Sequence, residues 1–93
     1  MSTDFTSVHN YYERHVFDAV LSAHGGHPGL DGDTLADVAC VALNRLPPRY
    51  VRHDVDFAFY QGEKERAAAD KALKDAVTYA FQFVQARVAM RAR

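Results

Sequence analysis

The sequence has little cysteine and little net charge, and each shortage excludes a class of protein. Its 93 residues include one cysteine, Cys40, which excludes an internal disulfide and an all-cysteine zinc site and indicates a reducing compartment. A formal net charge of −1 argues against a protein that coats nucleic acid non-specifically. Such binding depends on releasing counterions from many phosphates.

Long apolar runs are also missing. No stretch approaches the roughly 18 apolar residues of a membrane span. The first residues lack the basic start and the apolar segment of a signal peptide. Together with the single cysteine, these features predict a cytoplasmic protein that is neither exported nor inserted in a membrane.

What is present fits one small globular domain over residues 1–93. The apolar fraction is 48% and the charged fraction is 25%, far from the composition of a disordered chain. A chain of this length buries only about 60–65% of the surface that it exposes when unfolded, so its core is thin. Domains of this size often depend on a second copy or a ligand for stability, and we therefore expect an oligomer.

Helical periodicity is clear at both ends of the chain. Apolar residues recur at helical spacing over 8–23, with Ser7 as a candidate N-cap and two glycines at 25–26 as a stop. From Glu63 to about Arg91 the sequence is rich in alanine and has no glycine or proline. This last helix would be roughly 40 Å long, more than a domain of this size covers, so we expect its end to contact a second subunit.

A second helix is predicted between these two. Asp31 or Asp33 can accept from its free amides, and it runs to Leu46, where the proline pair 47–48 ends it. Its interior is apolar on nearly every side, with Asp37 as the exception. We predict that this helix is the central and most buried element.

The segment 51–59 alternates between apolar and polar residues, which is typical of a strand. A single strand has no partner in this sequence, so we expect an extended arm over the helices or an edge that pairs with another chain. The predicted fold is thus mainly α-helical: a compact three-helix domain with an extended arm around residues 50–60, assembled as a dimer.

Positive charge is concentrated in the middle of the chain. No acidic residue occurs between Asp37 and Asp54, and that interval holds Arg45, Arg49 and Arg52. Guanidinium groups match phosphate oxygens and the edge of guanine, and the ring of the neighbouring Tyr50 offers a base about 1–3 kcal/mol of stacking. This combination suits a nucleotide. The alternative is structural, because arginines after a helix also stabilise its exposed carbonyls and pair with surface carboxylates.

Three strings of the sequence resemble the ComFB family, named for late competence development. The signature is DVACVALNRLPPRYV at 37–51, and the strings NYYERHV at 10–16 and AV to FV between 76 and 84 support it. The resemblance implies a cytoplasmic, helical, dimeric bacterial protein that acts as a receptor for a cyclic dinucleotide such as cyclic di-GMP. It leaves open whether cyclic di-GMP or cyclic di-AMP is preferred, and which downstream protein partner and process respond.

Carried over onto this sequence, the motif implies a set of ligand-binding residues. Arg45 and Arg49 are the candidates for phosphate or guanine, with Asn44 and Tyr50 beside them and Arg52 close by. Asp37 either accepts from a guanine edge or anchors Arg45 from inside the fold.

This sequence lacks the cysteine cluster that ComFB proteins often carry before the signature. In that place stand His24, His27, Asp31 and Asp33. Zinc needs about four ligands in tetrahedral array, and structural sites favour cysteine. We therefore predict a solvated histidine loop and no metal or cofactor.

No catalytic constellation emerges, and we predict that the protein is not an enzyme. Cys40 lies in the most apolar stretch, where a thiol is usually a small core residue. The remaining acidic and histidine candidates are predicted to be ordinary surface groups: Glu13, His15, Asp54 and Asp56. A set of aromatic residues is predicted to form a contact surface that seals the dimer: Phe57, Phe59, Tyr60, Phe81 and Phe83. The last arginines are predicted to complement the helix dipole: Arg87, Arg91 and Arg93.

Two other functions compete with the receptor. One is a protein-interaction adaptor in which Arg45, Arg49 and Tyr50 meet an acidic patch on a partner, since arginine and tyrosine are frequent interface anchors. The other is a transcriptional regulator that touches DNA, which the net charge argues against.

Overall fold

A computed structural model of the chain describes residues 2–27 and 29–91, and only the backbone of residues 58–60. It contains two short strands, β1 (His9–Asn10) and β2 (Tyr50–Val51). The helices are α1 (Tyr12–Ala23), α2 (Gly32–Asn44), α3 (Asp54–Tyr60) and α4 (Glu63–Arg91), and a 3₁₀ turn over His24–Gly26 follows α1. The prediction of a mainly helical domain is confirmed, although the described residues form four α-helices where the sequence predicted three.

The core lies where α1, α2 and α4 meet, and α2 contacts both of the others. Val16 and Ala80 have no exposed surface, and Phe81 has almost none. Ala42 of α2, like Ala80 of α4, has no exposed surface, and these two helices are in contact. The predicted central position of α2 is thus confirmed.

α4 matches the third predicted helix, and it is longer than the core that it covers. Its 29 residues span about 43 Å at a rise of about 1.5 Å per residue. Its buried side chains all lie between Ala76 and Val84, so both ends extend beyond the packed region. The radius of gyration is accordingly 15.4 Å, compared with about 12 Å for a compact domain of this length.

The prediction of an extended arm around residues 50–60 is wrong beyond Val51. β2 pairs antiparallel with β1, in the register His9 with Val51 and Asn10 with Tyr50, so the partner strand lies within the chain. Residues 54–60 then form α3, whose first turn carries two acidic residues that favour a helix N-terminus. The apolar residues of the alternating segment 51–59 do not share one buried face, because Val55 is 69% exposed while Phe57 is buried.

α1 also begins later than predicted, at Tyr12 and not near Val8, because the preceding residues form the ladder with β2. Ser7 is not a helix cap: its carbonyl oxygen lies 2.8 Å from Nδ1 of His9. Asn10 provides the local support instead, since its side-chain oxygen accepts from the backbone N–H of Tyr12 at 3.2 Å. The start of α1 is thus set by the pairing of β1 with β2 and not by the predicted cap at Ser7.

Of the two predicted N-caps of α2, Asp31 is the one observed: its Oδ1 accepts from the backbone N–H of Thr34 at 2.8 Å and from the Thr34 hydroxyl at 2.7 Å. The helix ends at Asn44, two residues before the predicted end at Leu46. One side of α2 differs from the prediction of a fully buried element. Ala36 and Cys40 are exposed, and with Phe17, Leu21 and other apolar residues they line a groove of about 520 Å³ between α1 and α2. Cys40 is therefore not the core residue that its apolar neighbours indicated.

Among the described residues, no helix is both long enough and apolar enough to cross a membrane.

Candidate functional site

The arginine-rich segment follows α2 and returns to the start of the chain. Leu46 is buried and anchors it to the core, while Pro47 and Pro48 are exposed. The backbone N–H of Arg49 donates to the side-chain oxygen of Asn10 at 3.1 Å, and the carbonyl oxygen of Arg49 accepts from the N–H of Tyr11 at 2.6 Å. Two hydrogen bonds to residues near the N-terminus thus fix the backbone of Arg49.

The Arg49 side chain points toward α3. Its guanidinium carbon lies 5.1 Å from the centroid of the Phe57 ring, within the range of a cation–π contact. Arg49 lines a hollow of about 260 Å³ together with Phe57, Asp56 and Glu65. The two carboxylates in this hollow give it mixed charge.

Arg45 points the other way, toward α4. Its backbone ends α2, and its guanidinium carbon lies 3.9 Å from the centroid of the Tyr79 ring. It lines a separate hollow of about 220 Å³ beside Pro47 and Asp75. Arg45 and Arg49 thus line two separate hollows.

The remaining residues of the segment are exposed. Tyr50 is 67% exposed, and Arg52 lies in the bend before α3. The Asn44 amide makes one weak contact, from its nitrogen to Sγ of Cys40 at 3.8 Å. Within residues 2–27 and 29–91, the ion pairs are His9–Asp54 and Lys71–Asp75, so no described carboxylate pairs with the arginines of this segment.

Asp37 faces a different part of the molecule, a cleft of about 290 Å³ between α2 and α4. The cleft is lined from α4 by Phe83, Arg87, Arg91 and two valines, and from α2 by Asp37, Thr34, Cys40 and Val41. Its polar character comes from Asp37 on one wall and from arginines on the other. We call this region the α2–α4 cleft.

A strip of rings and cations connects the α2–α4 cleft with Arg45. The Tyr79 and Phe83 rings are stacked with centroids 6.0 Å apart, and Arg87 lies 5.9 Å from the Phe83 centroid. Tyr79, Phe83, Arg87 and Arg91 are spaced four residues apart, which places them on one face of a helix. That spacing is visible in the sequence, but the predictions drawn from it differ: a dimer contact for Phe83 and the helix dipole for Arg87 and Arg91.

His9 and Asp54 form a hydrogen-bonded pair beside β2. Nε2 of His9 lies 2.8 Å from Oδ1 of Asp54. The hydrogen bond to Asp54 raises the pKa of His9, with a smaller effect from the Ser7 carbonyl. The same hydrogen bond lowers the pKa of Asp54. This pair connects the strand β1 with the start of α3.

The histidine loop is attached to the protein rather than fully solvated as predicted. The His27 ring stacks on Phe81 with centroids 4.1 Å apart, and its Nδ1 lies 2.8 Å from Nε2 of Gln85. Nε2 of His24 lies 3.2 Å from the carbonyl oxygen of Leu30. No group of three or more His, Cys, Asp and Glu side chains suited to a metal ion occurs in the described part of the chain.

The predicted aromatic contact surface is divided between two places. Phe57 packs against Tyr11 with ring centroids 4.0 Å apart, and burial raises the pKa of that tyrosine. Phe81 is in the core, whereas Phe83 faces the α2–α4 cleft. The side chains of Phe59 and Tyr60, and the whole of Arg93, lie outside the described residues.

A family model described as "Late competence development protein ComFB" matches residues 9–88 of this chain. The match includes α1, α2, both strands and most of α4. No curated protein and no solved structure matches the chain.

Proposed function

The chain belongs to the ComFB family, and from this membership we propose that it is a cytoplasmic receptor, not an enzyme. In this proposal it binds a cyclic dinucleotide through the LNRLPPRY segment and relays its occupancy to a partner protein. Arg45, Arg49 and Arg52 meet the phosphates or a guanine edge, with Asn44 and Tyr50 beside them.

One observation carries the proposal: the arginines of the segment form no ion pair with a carboxylate of the described residues. One of the two structural roles, pairing with nearby surface carboxylates, is thus not observed among the described residues. Instead, Arg45 and Arg49 line open hollows, and two hydrogen bonds fix the Arg49 backbone. A held backbone lowers the entropy lost when a side chain grips a ligand.

A thermal-shift measurement with cyclic di-GMP and cyclic di-AMP tests the proposal. A ligand at 100 times its Kd stabilises the folded state by about 2.7 kcal/mol. For a domain of this size the expected rise in Tm is on the order of 10 °C. No rise with either compound at millimolar concentration would contradict it.

The Arg49→Ala variant shows whether the segment makes the contact. A charge-assisted hydrogen bond contributes about 1.5–3 kcal/mol, so we expect the Kd to rise about 10- to 100-fold while the Tm of the free protein changes little. Arg66→Ala is the matched control, since Arg66 is an exposed arginine on α4 that lines neither hollow. An unchanged Kd for Arg49→Ala would remove Arg49 from the site.

We also propose that the protein is a homodimer joined through the groove between α1 and α2. Phe17 and Leu21, which line it, are 46% and 65% exposed, and apolar patches of this kind mark interaction sites. Arg14 and Asp18 lie on the exposed part of the same helix. In a two-fold arrangement with antiparallel α1 helices, each arginine would meet the aspartate of the other copy.

A further inference from the structure

We propose that the α2–α4 cleft binds one guanine nucleotide unit of the ligand. In this arrangement the base packs on Phe83, Arg87 and Arg91 hold a phosphate, and Asp37 accepts from the N–H edge of guanine. The inference rests on the proposed function for the identity of the whole ligand. To that function, the inference adds a second region of the protein that contacts the ligand and a preference for guanine over adenine.

The positive wall of the cleft is built by the end of α4. From Ala76 to the C-terminus every charged residue is an arginine. Arg87 and Arg91 line the cleft, and none of the described carboxylates lies within 4.0 Å of either guanidinium group. Side chains four residues apart on a helix are about 5–6 Å apart at Cβ, so two planar forks can converge on one phosphate.

Asp37 shows that the cleft does not suit a simple anion. A helix dipole accounts for a terminal arginine such as Arg91, but it gives no reason for a carboxylate on the opposite wall that pairs with neither arginine. Asp37 would repel a free phosphate placed beside it. The arrangement fits a ligand with negative charge at one end and N–H donors at the other.

Among purine nucleotides, that pattern distinguishes guanine from adenine. The Watson–Crick edge of guanine presents two adjacent donors, N1–H and the 2-amino group, to a carboxylate that accepts with both oxygens. The same edge of adenine presents a single donor beside the acceptor N1, which a carboxylate repels. Asp37 therefore favours cyclic di-GMP over cyclic di-AMP.

Phe83 provides the ring face that a base requires. Its ring is 39% exposed and lies between Tyr79, with centroids 6.0 Å apart, and Arg87, whose guanidinium carbon is 5.9 Å from its centroid. Base stacking on an aromatic side chain contributes a sequence-tolerant part of affinity. Phe83 therefore supplies affinity, and Asp37 supplies the choice of base.

The size of the cleft limits what it holds. Its volume of about 290 Å³ is at the lower end of small-molecule sites, about 300–1,000 Å³, and suits one nucleotide unit rather than two. The second unit lies outside, toward Arg45. The stacked Tyr79 and Phe83 rings provide a continuous path, since Arg45 rests on the Tyr79 ring at 3.9 Å. The cleft and Arg45 thus contact one ligand at two places.

Calorimetric titration of the full chain with cyclic di-GMP, cyclic di-AMP and GMP tests the inference. For the wild type we expect tighter binding of cyclic di-GMP than of cyclic di-AMP. Asp37→Asn should reduce this preference about tenfold or more, because a bidentate pair contributes about 1–3 kcal/mol of base discrimination. Arg87→Ala should weaken both cyclic dinucleotides by similar factors.

Matched controls separate binding from folding. Asp33→Asn changes an exposed acid of α2 outside the cleft, and Arg66→Ala changes an exposed arginine of α4 that also lies outside it. Neither should alter any Kd. Asp37 and Arg87 are themselves exposed, so the Tm of the free variants should stay near that of the wild type.

The possible failures can be told apart. If Asp37→Asn and Arg87→Ala bind cyclic di-GMP like the wild type while Arg49→Ala does not, the cleft inference is overturned and the proposed function stands. If the wild type binds none of the three nucleotides, both are overturned. Binding of GMP alone, lost in Asp37→Asn, would support the cleft and overturn the proposed function.

Discussion

At the scale of single residues, Asn10 links two parts of the chain that are distant in sequence. Its side-chain oxygen accepts from the backbone N–H of Tyr12 at 3.2 Å and from that of Arg49 at 3.1 Å. The first bond supports the start of α1, and the second positions the arginine-rich segment. The sequence placed Asn10 within a helical pattern, and no local signal indicated its partner 39 residues away.

The His9–Asp54 pair makes stability depend on pH. Because the folded pKa of His9 is raised above its ordinary value of 6.5, its contribution is fully present below pH 6.5 and is lost as pH rises through the raised pKa. Because the folded pKa of Asp54 is lowered below its ordinary value of 3.8, its contribution is present above pH 3.8 and is lost as pH falls through the lowered pKa.

We therefore expect His9→Gln to lower the Tm more at pH 5.5 than at pH 9, because the contribution of the protonated imidazole is lost as pH rises through its raised pKa. Both partners are more than one-third exposed, so the effect should be small and should weaken in high salt. Thermal unfolding followed by circular dichroism measures it. His53→Gln is the control, since His53 is an exposed histidine. A difference of the same size at both pH values would show that the pair carries no charge.

At the scale of secondary-structure elements, local signals were reliable where no other segment competed with them. Asp31 was one of two candidate caps, and the structure selects it through bonds to Thr34. The alanine-rich composition of α4 predicted its bounds. In contrast, the prediction of a strand from the alternation over 51–59 was wrong, because acidic residues favour the first turn of α3 and, of its described side chains, Phe57 is buried while Val55 is exposed.

The N-cap of α2 offers a test of that element. Asp31→Ala should lower the free energy of unfolding by about 0.5–2 kcal/mol, because the backbone N–H of Thr34 loses its acceptor. Asp33→Ala is the matched control, since Asp33 lies in the first turn and should contribute only about 0.3–1 kcal/mol through the helix dipole. Urea unfolding measures both values. Because salt screens the dipole effect, equal losses in the two variants at high salt would contradict the capping role.

At the scale of the whole molecule, composition and motif predicted the class of fold and the family but not the arrangement of surfaces. The apolar residues of α2 indicated burial, and their periodicity could not show which side the chain leaves open. The groove beside Phe17 and Leu21 depends on how α1 and α2 pack. The α2–α4 cleft likewise joins Asp37 to residues about fifty positions away, which no short motif records.

The dimer belongs to this scale. Leu21→Lys places a charge in the groove between α1 and α2, and burying an unpaired charge is strongly unfavourable. We expect the variant to be a monomer of 10.4 kDa in light scattering, with the wild type at twice that mass. Val55→Lys is the control, because Val55 is exposed outside the groove. A monomeric wild type, or a dimeric Leu21→Lys, would remove this interface.

The length of α4 has a consequence for how sequences of this kind can vary. Phe81 in the core and Arg87 at the cleft are six residues apart on one continuous helix, so their relative orientation depends only on the number of residues between them. One inserted residue would turn every later side chain by about 100° around the helix axis. The hydrophobic packing upstream would survive such an insertion, but the guanidinium groups would face away from Asp37. We therefore expect the number of residues between Phe81 and Arg87 to be fixed, with no insertion or deletion between them.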